Sequence, residues 1–293
     1  MSEQNPNFYL AKVALVAQPT RNALRAYSAV TGAWASLSVP VDTGDTFLVG
    51  GNTALVAQPT RNELRAFSAI TAAWASLSVP VDTGDTFLVN TNVALVAQPT
   101  RNELHAYSAI TGTWASLSVP VDTGDTFLVD TNVVLVAQPT RNELRAYSAH
   151  AGTWASLSVP VDTGDTFLVG GNTALVAQPT QNELRAFSAI TAAWTSLSVT
   201  VDIGDTFLVD TNVALVAQPT RNALRAYSTI TGTWVSLSVP VDTGDTFLVG
   251  GNTALVAQPT QNELRAFSAI TAAWASLGVT VDSGDMFLIG SDA

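Results

Sequence analysis

The sequence predicts an all-β fold, a seven-bladed β-propeller with four antiparallel strands per blade, and three observations carry that prediction. The motif Leu-Val-Ala-Gln-Pro-Thr begins at Leu15, Leu55, Leu95, Leu135, Leu175, Leu215 and Leu255, a step of 40 residues each time. All seven tryptophans keep the same step, at Trp34, Trp74, Trp114, Trp154, Trp194, Trp234 and Trp274. Each unit then holds four strand-sized apolar runs separated by turn residues. Four strands in about 40 to 45 residues is a propeller-blade period, and seven copies lie within the usual four to eight blades.

Within one unit the four runs are Thr46 to Val49, Ala54 to Gln58, Leu64 to Ser68 and Trp74 to Val79. The breaks between them are Gly50-Gly51-Asn52, Pro59-Thr60-Arg61-Asn62, Ile70 to Ala73, and Pro80-Val81-Asp82-Thr83-Gly84-Asp85, all rich in residues that satisfy turns. In the first copy Ala35, Leu37 and Val39 alternate with polar or aromatic neighbours, and a period of two indicates a strand. Two versions of the unit coexist. Copies with a Gly-Gly-Asn turn carry Phe67, Phe187 or Phe267 with Ile-Thr-Ala-Ala, and the others carry Tyr27, Tyr107, Tyr147 or Tyr227 with Thr-Gly or Ala-Gly.

A strand-and-helix solenoid is the rival reading, because Leu64, Phe67, Thr71, Trp74 and Leu77 also fall at roughly helical spacing behind Asn62. Against it stand Gly32, Gly112, Gly152 and Gly232 in the middle of the would-be helix, each costing about 1 kcal/mol relative to alanine.

Seven units of 40 account for 280 of the 293 residues, so a single domain spanning 1–293 is expected. The pattern starts at a second strand (Ala14 to Gln18) and ends at a first strand (Asp285 to Ile289). The expectation is therefore that strand 285–289 joins the N-terminal blade, residues 14–39, and closes the ring, with Phe8 to Leu10 as the competitor for that place.

Composition narrows the function. Hydrophobic residues make up 47% and charged residues only 12%, which suits a globular core and excludes a disordered chain. The absence of cysteine removes thiol chemistry and cysteine metal sites. With 12 basic against 23 acidic residues the net charge is −11, which disfavours nucleic acid and anionic membranes as partners. No apolar run reaches the roughly 20 residues of a membrane helix, and the first residues carry no secretory pattern, so a soluble, cytoplasmic monomer is expected.

Tyr27 and Trp34 are seven positions apart within AYSAVTGAWASLSVP, and GNTALVAQPTRNELRAF supplies a strand, a loop and a strand ahead of the aromatic residue. In these features the unit resembles the kelch repeat, over its whole length and in all seven copies. The resemblance implies a propeller used for binding. Two positions depart from the kelch pattern: Ala17-Gln18 stands where kelch has paired glycines, and Ser28 stands where it has aspartate. The segment Asp42 to Phe47 also looks like the Asp-box hairpin of sialidase propellers. The kelch-like enzyme galactose oxidase needs a cysteine and copper-binding histidines; with no cysteine and only His105 and His150, this chain cannot share that activity.

His105 replaces the arginine found at position 65, and His150 replaces the isoleucine found at position 70. Each is a single drifted copy, and no histidine pair has ligand spacing, so neither a metal site nor a cofactor is expected. Catalysis needs unlike groups converging at one place, whereas these blades supply the same groups repeatedly, so the chain is not expected to be an enzyme.

Alternate loops of a four-stranded blade emerge on one side, which places PTRN and PVDTGD together. The candidate ligand-binding residues are therefore Arg21, Asn22, Asp42, Asp45, Arg61, Asp82, Asp85, Arg101, Arg141 and Arg221. Arginine would serve as a bidentate donor and the acids as acceptors for a protein, peptide or glycan. The structural alternative pairs each arginine with a loop acid and uses Asp42 as backbone acceptor of a turn ahead of Gly44. Calcium at Asp-Thr-Gly-Asp would have two carboxylates where about six to eight oxygens are needed. The sequence thus points to a non-catalytic binding or scaffold module, designed or recently amplified, with a multivalent lectin as the alternative.

Overall fold

The computed structural model describes residues 12–282 and 285–289. Among them lie seven antiparallel sheets, one per repeat: six have four strands and the first has three. In fold class this is the all-β, seven-bladed propeller architecture that the repeat predicts. The chain groups into two compact units, residues 1–123 with blades 1 to 3 and residues 124–293 with blades 4 to 7. In a repeat array each copy touches only its neighbours, so nothing in a chain of like units forces all copies into one cluster.

Blade 2 shows the pattern. Its strands Thr46–Val49, Thr53–Gln58, Glu63–Ser68 and Ala73–Leu77 pair in sequence order. Each joint is local. Pro59–Arg61 forms one turn of 3-10 helix, with proline fixing φ at its start, and Asn62 closes it at φ 54°. This is why asparagine recurs there: its side chain tolerates the left-handed region that most residues avoid. Asn62 thus ends a 3-10 turn and does not begin a helix; the described residues contain no α-helix. The run predicted to end at Val79 stops at Leu77 in this blade.

The third turn explains the serine that recurs at Ser68 and its equivalents. Ser68 Oγ accepts the N–H groups of Ile70 and Thr71 at 3.1 Å and donates to the Ala109 carbonyl of the next blade at 2.6 Å. One hydroxyl both shapes the turn and ties neighbouring blades, and the same inter-blade bond is made by Ser148, Ser188 and Ser228.

Alternation along the strands gives each sheet two unlike faces. One face is small, with Leu55, Ala57, Leu64 and Ala66 in blade 2; the other is large, with Val96, Tyr107 and Trp114 in blade 3. Small face packs on large face. The same pairing joins blade 4 to 5, blade 5 to 6 and blade 6 to 7. Tyrosine or phenylalanine stands opposite tryptophan in every blade, with ring centroids 5.2 to 5.4 Å apart and tilted planes. Each buried Phe, Tyr or Leu contributes roughly 1.5–3 kcal/mol, so the interfaces between blades are the core of the molecule.

The opposite side of the blades carries an asparagine ladder that sequence reasoning missed. Asn52 Nδ2 donates to Asn92 Oδ1 at 2.6 Å, and in the second unit Asn132, Asn172, Asn212 and Asn252 bond in succession at 2.6 to 2.7 Å. The Gly-Gly turns make room beside it: a Cβ at Gly171, whose φ is +53°, would lie 2.3 Å from Thr211 Cα.

Residues 285–289, expected to close the first blade, form no strand, and Met286 and Leu288 are 90% and 91% exposed. Phe8 to Leu10 lie outside the described residues. Thr46–Val49 pairs with the strand that directly follows it, whereas the partner expected for 285–289 lies far away in sequence, and closing so long a loop costs more entropy than closing a hairpin.

Candidate functional site

The PTRN-type and PVDTGD-type loops meet on one side of blades 2, 3, 5, 6 and 7. Thr60 Oγ1 donates to Asp42 Oδ2 at 2.5 Å, Thr100 to Asp82 at 2.7 Å and Thr220 to Asp202 at 2.6 Å. Arg101 and Arg221 lie 3.4 Å from the same aspartates, Asp82 and Asp202. Where glutamine replaces arginine the contact persists, with Gln181 Nε2 3.1 Å from Asp162 and Gln261 Nε2 3.4 Å from Asp242. The loop aspartate therefore binds its own blade. Arg21, Arg61 and Arg141 end the same turn in their blades, and Asn22 is its left-handed closing residue at φ 48°.

The turn acceptor is Asp45 rather than Asp42. Asp45 Oδ2 accepts the Asp42 N–H at 3.1 Å and the Gln58 Nε2 at 2.8 Å, and Asp85 accepts from Asp82 at 2.9 Å and Gln98 at 2.7 Å. The second aspartate of the motif points back over the turn and caps it, while the first reaches across to threonine.

Gln58 begins a buried network that the candidate list lacked. Its Nε2 also donates to the Pro40 carbonyl at 2.9 Å, and its Oε1 accepts from Arg65 Nε at 2.9 Å. Arg65 NH1 reaches Ser76 at 3.0 Å and NH2 pairs with Glu63. The network thus runs from the loop through three strands, and Gln58 holds it together. The signal in the sequence is a Gln and an Arg seven residues apart, followed by Ser eleven further on, in most copies.

Burial dominates the electrostatics. Burial draws Arg145 below the usual guanidinium range, opposed by Glu143, and it draws Arg225 down with Arg221 adding to the effect; blade 6 has Ala223 where blade 4 has Glu143. Burial pushes the Asp165 carboxyl up, against the hydrogen bond from Gln178. Tyr227 is pushed up to about 12 by burial.

Both histidines are hydrogen-bonded within the fold. His105 Nε2 lies 2.9 Å from Gln98 Oε1 and Nδ1 lies 2.7 Å from Ser116 Oγ, the same two partners that arginine takes elsewhere. His150 Nε2 lies 3.0 Å from Asn172 Oδ1 on the opposite side. Among the described residues no three acidic or histidine side chains gather as a metal site, and no helix is long and apolar enough to cross a membrane.

The loop side also carries a departure from the repetition. In the second unit a hollow between the loops of blades 5 and 6 is lined by Gly164, Thr166, Pro179, Ile203, Gly204 and Phe207. Ile203, which replaces the threonine of other copies, is fully exposed.

No protein-family model matches the chain, and no curated protein matches it. Among solved structures it is similar to β-propeller proteins at very low identity. Hsv2 of Kluyveromyces lactis is 8% identical, with 92% of this chain and 94% of that one covered and a TM-score of 0.34. Apo AztD from Citrobacter koseri is 11% identical, with 88% and 92% covered and a TM-score of 0.29. The dihydro-heme d1 dehydrogenase NirN is 12% identical, with 94% and 64% covered and a TM-score of 0.32.

Proposed function

We propose that the chain is a non-catalytic, kelch-like binding or scaffold module. The observation that carries this reading is the engagement of the loop side chains with their own blades: Asp82 by Thr100 and Arg101, Asp85 by Gln98 and the loop backbone, Asp202 by Thr220 and Arg221. Acids held this way are acceptors already in use, and the same arrangement recurs in neighbouring blades, which is unlike the convergence of dissimilar groups that catalysis needs. Such a surface offers shape and hydrogen-bonding edges.

The hollow beside Ile203 is the natural place for an apolar side chain of a protein or peptide partner, because Ile203 is an exposed apolar group lining it where the other copies carry a polar residue. A peptide and glycan array tests the reading. A peptide hit should be lost on Ile203→Thr, which restores the residue of other copies. A glycan hit lost on simultaneous Arg→Gln change at 21, 61, 101, 141 and 221 would replace this reading by a multivalent lectin, since several weak sites act together on a dense surface. A chain that binds nothing on either array fits a designed or freshly amplified repeat with no evolved ligand.

A further inference from the structure

Five blades carry a glutamate two residues before the basic residue of the buried network. In each the two side chains are paired: Glu63 with Arg65, Glu103 with His105, Glu143 with Arg145, Glu183 with Arg185 and Glu263 with Arg265. The glutamate opens the third strand of its blade and faces a serine of the fourth, as Glu183 stands directly opposite Ser198 in blade 5. Residues in that relation share one face of the sheet. The Glu183 carboxylate is accordingly held from two sides, with Arg185 NH2 3.5 Å from Oε2 and Ser198 Oγ donating to Oε1 at 3.2 Å.

Blade 6 keeps both donors and lacks the carboxylate. Ala223 takes the place of the glutamate, directly opposite Ser238, and Arg225 follows two residues later. Arg225 Nε donates to Gln218 at 2.6 Å and NH1 to Ser236 at 2.8 Å, as in the other blades. Among the described residues, however, no carboxylate lies within ion-pair distance of Arg225, and the Ser238 hydroxyl has no partner within the fold. The vacated place is open to solvent: Arg65, Arg145, Arg185 and Arg265 are buried, whereas Arg225 is half-buried and Ser238 is exposed. Burial and the neighbouring Arg221 both draw the Arg225 guanidinium down, against Asp205, so an anion arriving there relieves a repulsion between two cations. Blade 1 also has an alanine, Ala23, but there Arg25 bonds Gln18 alone and the fourth strand ends at Leu37, before its serine.

We propose that blade 6 binds a carboxylate from outside the chain, one oxygen on Arg225 NH2 and the other on the Ser238 hydroxyl, where five other blades seat a glutamate of their own. The class of ligand is read from what the same donors hold in blade 5. A guanidinium N–H bonded to an ionised oxygen is among the stronger hydrogen bonds available to a protein, and its fixed geometry selects planar acceptors. The group that enters is the carboxylate of an acidic peptide side chain or of a small organic acid. The site shares no residue with the hollow beside Ile203 and stands whether or not that hollow takes a partner. It is single among the described residues, whereas a ring of loop arginines would bind at several places at once.

Nitrogen-15 NMR of the full chain tests this. The Arg225 Nε–H is bonded to Gln218, which slows its exchange and makes its resonance a reporter of the site. That resonance is identified by its loss in Arg225→Gln and by its displacement in Ala223→Glu. The probes are sodium acetate and a capped Ala-Glu-Ala tripeptide, with sodium chloride at equal ionic strength as the control for screening. Both carboxylates should shift the Arg225 resonance to saturation, and chloride should not. The Nε–H resonances of Arg145 and Arg185, whose guanidinium groups are already paired, should stay in place. Ala223→Glu restores the residue of the five other blades and should abolish the shift, while Ser238→Ala should raise the midpoint. A lower midpoint for the tripeptide than for acetate assigns the site to an acidic side chain of a peptide, and equal midpoints assign it to a small organic acid. A resonance that moves no further with acetate than with chloride, or that still moves to saturation in Ala223→Glu, overturns the proposal.

Discussion

Gln178 and Arg185 are joined across the middle of blade 5: the arginine Nε donates to the glutamine Oε1 at 2.6 Å, and both side chains are buried. Gln178 Nε2 is also spent on the Pro160 carbonyl at 2.7 Å and Asp165 at 2.8 Å, and Arg185 NH1 reaches Ser196 at 2.8 Å. A neutral side chain here links a buried cation to a half-buried anion without letting them touch.

Gln178→Leu keeps the volume and removes three hydrogen bonds. Each group left unsatisfied in the interior costs about 1–3 kcal/mol, so the variant should lose about 3 kcal/mol or more. Urea denaturation measures it. A loss below about 1 kcal/mol would mean that water replaces the glutamine.

His105 links stability to pH. Burial holds the imidazole below its ordinary range, while the charges of Glu103 and Asp85 pull the other way. The unfolded chain takes up the proton near pH 6.5, before the folded protein does, so stability falls as the pH drops below about 6.5 and levels off once the folded group protonates. His105→Arg places the residue of the other blades at this position. Its advantage over the parent should widen between about pH 7.5 and pH 5 in paired urea titrations, and a constant difference would contradict the lowered affinity.

Ala72, Ala192 and Ala272 adopt φ of 49 to 53°, where Gly32, Gly112, Gly152 and Gly232 of the other copies adopt 68 to 72°. The left-handed region costs an alanine about 1–2 kcal/mol, and glycine gives back about 0.4–1 kcal/mol through the freedom of the unfolded chain. Ala72→Gly should therefore stabilise by about 0.5–1 kcal/mol, and the triple variant by about 2 kcal/mol where the sites act independently. Thermal and urea midpoints should both rise. Gly112→Ala should move them in the opposite direction.

The arginines of the loop side should matter little for stability. Arg101 and Asp82 are each more than a third exposed, and such pairs are worth about 0–1 kcal/mol. Gln181 and Gln261 already hold the equivalent aspartates. Arg→Gln at 21, 61, 101, 141 and 221 together should cost less than about 1 kcal/mol per site in urea. A larger loss would show that these pairs hold the loops in place.

The sequence by itself determined the blade. A period of 40 residues, four apolar runs and the turn residues between them specify hairpins, because each strand pairs with its chain neighbour and needs only local information. Asn62 in its left-handed turn and Gly32 in its own are legible for the same reason. The polar pairings were not. Gln58, Arg65 and Asp45 are scattered along the unit, and only the strand register brings them together, so a reading by loop composition took Asp42 as the turn acceptor and left Gln58 out. Tertiary structure alone also decided what differs between near-identical copies. Trp34 and Trp74 stand in equivalent places in their repeats, yet one is 58% exposed and the other packs against Ala26 and Ala35 of the blade before it. Identical local sequence cannot encode that difference; it arises because one blade has a neighbour on that face within its unit and the other does not.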